Sequence, residues 1–170
     1  GTGTITIVPP ATNTDRTLTF PDETGTVDTL SRAGNVLQVV NATYGTEASS
    51  ASSTFADTGL TATITPKFAT SKILIIFTLT DGLKITNSTS LGTRIVRNST
   101  SILTTSHYGM ATGNGNVNSG SVSGSYLDSP TTTSATTYKM QFNSVNNVGT
   151  VYVQYLSSAF STITLMEIAA

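Results

Sequence analysis

Residues 138–143 read YKMQFN. Tyr138, Met140 and Phe142 alternate with Lys139, Gln141 and Asn143. Successive side chains of a β-strand point to opposite faces, whereas a helix repeats every 3.6 residues. Strict alternation over this stretch therefore reads as a strand with one face in a core and the other in water. The same grammar recurs on both sides. Further strands are predicted at 4–8, 17–20, 36–40, 60–65, 72–79, 92–97, 101–106, 121–127, 150–156 and 162–168. Thr, Val, Ile and Tyr dominate them, as a pleated surface favours. Clusters of Gly, Asn, Ser, Asp and Pro separate them. No window keeps an apolar stripe at helical spacing, so the chain reads as an all-β sandwich or barrel.

Composition narrows the function classes. Charged residues make up 10% of the chain, against about 25% in ordinary globular domains. Ser and Thr supply about a third of the sequence, while the hydrophobic fraction of 37% is ample for a core. The net charge of −1 leaves no basic stripe with which to displace counterions, so nucleic acid is not an expected partner. The longest apolar run, Ile73 to Phe77, is strand-sized and far short of a spanning helix, and no membrane insertion is expected. Cysteine is absent, which excludes disulfides and thiolate metal sites.

Three strands carry apolar residues on both faces. Ile73, Ile75, Phe77 and Leu79 oppose Leu74 and Ile76. Val151, Val153 and Tyr155 oppose Tyr152 and Leu156. Ile163 and Leu165 oppose Met166 and Ile168. A sandwich strand in a monomer needs one apolar face only. The second face calls for a cover, and a neighbouring subunit supplies one more readily than an extra loop of the same chain. Leu74, Ile76, Tyr152, Leu156, Met166 and Ile168 are the candidate subunit-interface residues.

The first 35 residues hold few large side chains and two short strands around Pro9 and Pro10. Such a unit is marginal alone. It must pack on copies of itself or on the main domain, with the module boundary placed between residues 35 and 36. The start at Gly1 without methionine suggests a piece cut from a longer chain, or a processed protein.

Chemistry-bearing patterns are weak. His107 is the single histidine. A triad, or a three-histidine metal site on a threefold axis, needs orienting partners that the sequence does not single out. The carboxylates sit mostly in predicted turns, and Glu167 on the last strand is expected at an edge or interface, paired with Lys or Arg. Gly-rich stretches lack the helix and Lys-Ser/Thr of a phosphate loop. No catalytic residue, metal or cofactor is expected. Segments 80–90, with a possible short strand, and 107–121 read as long loops, 128–137 as a connector and 45–54 as an exposed excursion. Tyr with Asn, Ser and Gly is the composition of adaptable binding loops. His107, Tyr108, Asn114, Asn116, Asn118 and Tyr126 are therefore the candidate receptor contacts.

The stretch NVLQVVNATYGTEASSASSTFADTGLTATITPKFATSKILIIFTL (35–79) resembles the C-terminal modules of bacteriophage tail fibres, especially those of marine and cyanobacterial phages. STITLMEIAA (161–170) and TLTFPDETGTV (17–27) fit the same pattern. The resemblance implies a homotrimeric virion protein in which a β-rich shaft or anchor segment over 1–35, its Ile5, Ile7, Leu18 and Phe20 covered by the other two chains, leads to a globular head domain over 36–170. The head also resembles the C1q/TNF-type jelly roll, with KILIIFTL as a central strand, TRIVRNSTSIL as a strand pair, and TVYVQYL and STITLMEI as the penultimate and last strands. The expected function is non-covalent adsorption to a bacterial surface polysaccharide or outer-membrane protein, beside other virion proteins and without enzymatic activity. A structural virion protein, such as a capsid decoration or head fibre, is the alternative.

Overall fold

The computed structural model describes residues 2–4, 6, 8, 15, 17, 32–86, 88–111, 117–156, 158 and 160–170, with the backbone alone for 105–111. The expected shaft residues Ile5, Ile7, Leu18 and Phe20 lie outside them. Ten strands follow in order: β1 (Val36–Tyr44), β2 (Ala48–Ser50), β3 (Ala56–Ile64), β4 (Lys72–Lys84), β5 (Ser90–Arg97), β6 (Thr100–Ala111), β7 (Asn118–Asp128), β8 (Thr136–Ser144), β9 (Val151–Val153) and β10 (Ser161–Ile168). There is no helix among the described residues.

The strands form two antiparallel sheets, and the fold is a β-sandwich. One sheet runs β3-β8-β5-β6. The other is built on the long β4. β7 pairs along one edge of β4 from Ile73 to Lys84, across a bulge between Leu79 and Gly82. The opposite edge is shared end to end by β10, against Lys72–Thr78, and β9, against Leu83–Lys84. β1 pairs with β10 and β2 with β9. We call the β4 sheet the front sheet and the β8 sheet the back sheet.

Alternation decides which side chains meet. Tyr138, Met140 and Phe142 are fully buried, as the YKMQFN pattern requires, and so are Ile73, Ile75, Phe77 and Leu79 from the facing sheet. All of these but Phe142 form the main core with Leu60, Ile64, Ile95, Ile163 and Leu165. A smaller cluster of Leu91, Phe142, Val151 and Val153 lies around β9. Each such large side chain contributes about 1.5–3 kcal/mol by leaving water.

Several sequence expectations change here. Segment 80–90 is not one loop. The bulge at Leu79–Gly82, with Asp81 at φ 45°, carries β4 through polar residues to Lys84. Segment 107–121 is strand at both ends, in β6 and β7, and 45–54 contains β2. Asn143 is buried rather than wet. Its amide donates to the Ser53 carbonyl at 2.7 Å, and only the absent side chain of Gly92 leaves room for it.

Glu167 is not at an edge, and no ion pair joins it to a described residue. It is fully buried on β10. Its Oε2 accepts from Gln38 Nε2 at 2.6 Å, and its Oε1 accepts from the backbone N–H groups of Lys67 at 2.7 Å and Phe68 at 3.3 Å. Burial by itself would raise its pKa. The hydrogen bonds outweigh burial and hold the carboxyl below its ordinary value. This residue clasps β1, β10 and the β3–β4 connection together.

A second polar clasp joins the sheets. Arg97 Nη1 on β5 donates to both carboxylate oxygens of Asp128 on β7, each at 2.9 Å. Tyr138 on β8 donates its hydroxyl to Asp128 Oδ2 at 2.7 Å. Burial first, then the neighbouring carboxylate, push the Tyr138 hydroxyl far above its usual pKa, so it remains a donor.

Candidate functional site

The pairing scheme gives the sandwich two distinct ends. At the first, Gly34 N donates to Ala169 O at 2.8 Å and Ala169 N to Asn35 O at 2.9 Å. Val36 and Lys72 each lie opposite Ile168, and Ile73 lies opposite Asp128. The chain thus enters the sandwich and reaches its C-terminal strand end at the same place. The Asp128–Arg97–Tyr138 clasp shows that the back sheet's 97–100 turn belongs to this entry end too.

At the far end, Lys84 lies opposite both Asn118 and Val151, Leu91 opposite Ser144, and Ser90 opposite Ala111. Connections 51–55, 85–89 and 145–150 gather there, and the β6–β7 connection leaves and returns there. Polar side chains knit the first three together. Asn146 Nδ2 donates to Ser88 O at 2.6 Å, Ser53 N to Asn147 Oδ1 at 3.2 Å, and Ser144 Oγ to Gly149 O at 2.7 Å. These loops are held by short side chains to backbone, an arrangement that suits a preformed polar surface.

The candidate receptor contacts divide. Asn118 is the first residue of β7, half-buried opposite Lys84 at the far end. Tyr126 is not beside a loop. It lies opposite Ile75 on β7 and packs half-buried against the main core, so its ring belongs to the interior. Tyr44 is likewise packed on the core, closing over Gly59. His107 and Tyr108 fall on β6, where the backbone alone is described, and Asn114 and Asn116 lie outside the described residues.

Four of the six candidate interface residues share one patch. On the outer face of the front sheet, Val39, Met166, Leu74 and Leu127 line up across β1, β10, β4 and β7. Ile76 stands one pleat further along β4, in a row with Asn41, Thr164 and Ser125. Ile168 lies one pleat the other way, in register with Val36 and Lys72. Val39 is 55% exposed, Ile76 42% and Leu127 50%. An apolar row across four strands on a solvent face is contiguous, unlike the scattered exposed residues of an ordinary surface. Beyond it comes a hydroxyl band of Thr43, Thr162, Thr78 and Ser123.

Tyr152 and Leu156 lie apart from that patch, past the hydroxyl band. Tyr152 is opposite Leu83 and meets Tyr155 edge to face, ring centroids 5.3 Å apart. Leu156 helps to wall a shallow depression of 220 Å³ with Asp81, Gly82, Leu83, Ser119 and Tyr155. The sequence pattern could not separate these two patches, because the bulge in β4 and the left-handed Gln154 (φ 51°) reset the alternation.

The outer face of the back sheet is different again. Asp57 accepts from Lys139 at 2.9 Å and from Gln141 at 2.6 Å, Arg94 Nε donates to Gln141 Oε1 at 2.8 Å, and the Arg94 guanidinium covers the Phe55 ring at 4.1 Å. These charges satisfy one another. Burial alone would raise the Asp57 pKa, but the donors from Gln141 and Lys139 bring it below its ordinary value. Among the described residues no group of three His, Asp or Glu side chains is placed to hold a metal ion, and no helix is long and apolar enough to cross a membrane.

No protein-family model and no curated protein matches this chain. The functional reading therefore rests on its surfaces.

Proposed function

We propose that the chain is the tip domain of a trimeric bacteriophage fibre and adsorbs the virion to a bacterial surface without covalent chemistry. The observation that carries this reading is the polarity of the sandwich. The chain enters at one end, and the knitted polar loops stand at the other, where a shaft-borne head presents them to a target. Loops on a rigid scaffold are where binding functions concentrate. Three weak loop contacts acting together would supply affinity by avidity.

The strand order supports a jelly roll of the C1q/TNF type. β1/β2, β9/β10, β4 and β7 form one sheet and β3, β8, β5 and β6 the other, with connections passing between the layers. For the copy-to-copy contact we take the apolar row of Leu74, Ile76, Met166 and Ile168, extended by Val39 and Leu127. It adjoins the entry end, where three shaft strands would converge.

Adsorption to host cells tests the reading. Replacing residues 112–117, or the 85–89 and 145–149 connections, by short Gly-Ser linkers should abolish binding while the trimer persists. Undiminished adsorption by all three trimeric variants would overturn it. Labelling on the particle separates this from the structural alternative, since a capsid decoration would map to the head and a fibre tip to the tail.

A further inference from the structure

We infer that the far end of the sandwich binds a neutral glycan, a sugar chain without phosphate, sulfate or uronate groups. This target class rests on the adsorption reading and narrows it.

Charge is spread unevenly over the molecule. Lys67, Lys72, Arg97, Asp128 and Glu167 lie toward the entry end. Asp57, Arg94 and Lys139 stand on the outer face of the back sheet. The far-end connections 51–55 (ASSTF), 85–89 (ITNST) and 145–150 (VNNVGT) hold no Asp, Glu, Lys or Arg, and neither does TGNGNV over 112–117. Lys84 sits at the base of this end, but it is fully buried opposite Val151, and its Nζ donates to Thr86 O at 2.9 Å. An anionic polymer is gripped by presented Lys or Arg side chains. The three described connections present neither.

The polar groups that are presented suit a diol. Asn146 Nδ2 donates to Ser88 O and Asn147 Oδ1 accepts from Ser53 N, so the 145–150 connection is pinned between the other two. Each bond fixes its amide and leaves the other half for an incoming molecule, Asn146 Oδ1 as acceptor and Asn147 Nδ2 as donor. Both residues are exposed. Adjacent sugar hydroxyls, each able to donate and accept, match such a pair. Ser52, Ser53, Thr54, Thr86 and Ser88 are exposed beside them. Three aliphatic side chains complete the surface, Ile85 at 44% exposure, Val117 at 66% and Val148 at 58%. Ile85 follows Lys84 and Val117 precedes its partner Asn118, so both leave the same end of the β4–β7 ladder. Such side chains suit the C–H faces and methyl groups of sugars, which gain by leaving water. A protein target fits less well. Protein interfaces concentrate aromatic side chains, Met and Arg and are poor in Ser. The one aromatic residue of the three connections, Phe55, is half-buried against the Arg94 guanidinium.

Surface polysaccharide from cells to which the parent adsorbs, split by anion exchange into neutral and anionic fractions, tests this. The neutral fraction should compete with adsorption. The anionic fraction should not, and protease treatment of the cells should leave adsorption unchanged. Raising NaCl from about 20 mM to about 500 mM should alter adsorption less than about twofold, whereas contacts between opposite charges would be screened. Asn147→Asp keeps the Oδ1 acceptor for Ser53 N, and Asp tolerates the left-handed backbone at φ 53°. It replaces the remaining donor by a negative charge and should weaken affinity for the neutral fraction at least about tenfold. Its amide spectrum should be unchanged beyond 51–55 and 145–150. Competition by the anionic fraction alone, protease-sensitive adsorption, or undiminished affinity in a folded Asn147→Asp variant would overturn the neutral-glycan target while adsorption itself stood. A parent chain that adsorbs to no cell would instead remove the adsorption reading, and this target with it.

Discussion

Gly59 shows how one position can set a local structure. It lies in the β3 bulge between Asp57 and Thr61 with φ +87°, a conformation that a side chain strains, and a methyl placed there runs into the Tyr44 ring. Gly59→Ala should therefore cost about 1–3 kcal/mol, read as a lower urea midpoint with an unchanged slope. Glu167 makes the complementary polar case. Its folded-state pKa lies below the ordinary value of 4.5, so the unfolded chain binds the proton more readily. Its contribution is present above that ordinary value and is lost as pH falls through the depressed one. Glu167→Gln should lower stability at neutral pH by about 1.5–3 kcal/mol and flatten the acid limb of the stability curve. A variant with an unaltered acid limb would show that the clasp is not the titrating element. Tyr138 carried a legible signal of its own, because a buried tyrosine hydroxyl needs a partner. The sequence did not name that partner. Asp128 sits ten positions away in what reads as a turn, and only the stacking of two sheets brings it to the hydroxyl.

At the scale of elements, β4 organises the front sheet. Its inner face, Ile73 to Leu79, was readable from alternation alone. Its length was not, since Thr80-Asp81-Gly82 looks like a turn, and a bulge converts it into continuing strand. The same event moved Tyr152 and Leu156 out of the patch that Leu74, Ile76, Met166 and Ile168 share. The two patches should answer differently to mutation. Leu74→Ser together with Met166→Ser removes apolar area from a solvent-facing row, so the isolated fold should change by no more than about 0.5 kcal/mol. Association should weaken sharply. If the proposed trimer forms through this row, sedimentation should give the parent three times 17.6 kDa and the double variant mainly 17.6 kDa chains. A double variant that still sediments as a trimer would assign the contact elsewhere.

For the whole molecule, the two clasps and the loop network predict different responses at the two ends. Glu167 and Asp128 tie three connections to the core near the chain entry. The far end is tied by Asn and Ser hydrogen bonds, which individually are worth about 1 kcal/mol. Amide exchange should accordingly be slowest in β4, β8 and β10 and faster in 85–89 and 145–150. Uniform exchange over both ends would contradict the division into scaffold and presented loops. Arg97→Lys is a sharper probe. It keeps the charge but loses the planar guanidinium that holds both Asp128 oxygens, and it should lower the melting temperature by a few degrees without moving the far-end amides.

Composition and alternation by themselves determined that this chain is all-β, that YKMQFN and KILIIF are strands with a core-facing side, and that some strands have apolar surface to spare. Those properties follow from the two-residue period of the strand, which any reader of the sequence can count. Only the tertiary structure decided which strands are neighbours, that Glu167 and Asp128 are clasps rather than surface charges, that Tyr126 is interior, and that Asp81 stands in an aromatic-walled depression. Each of these depends on bulges, left-handed residues and the stacking of two sheets, which shift the count by one or join residues far apart in the chain, and neither is written in a local pattern.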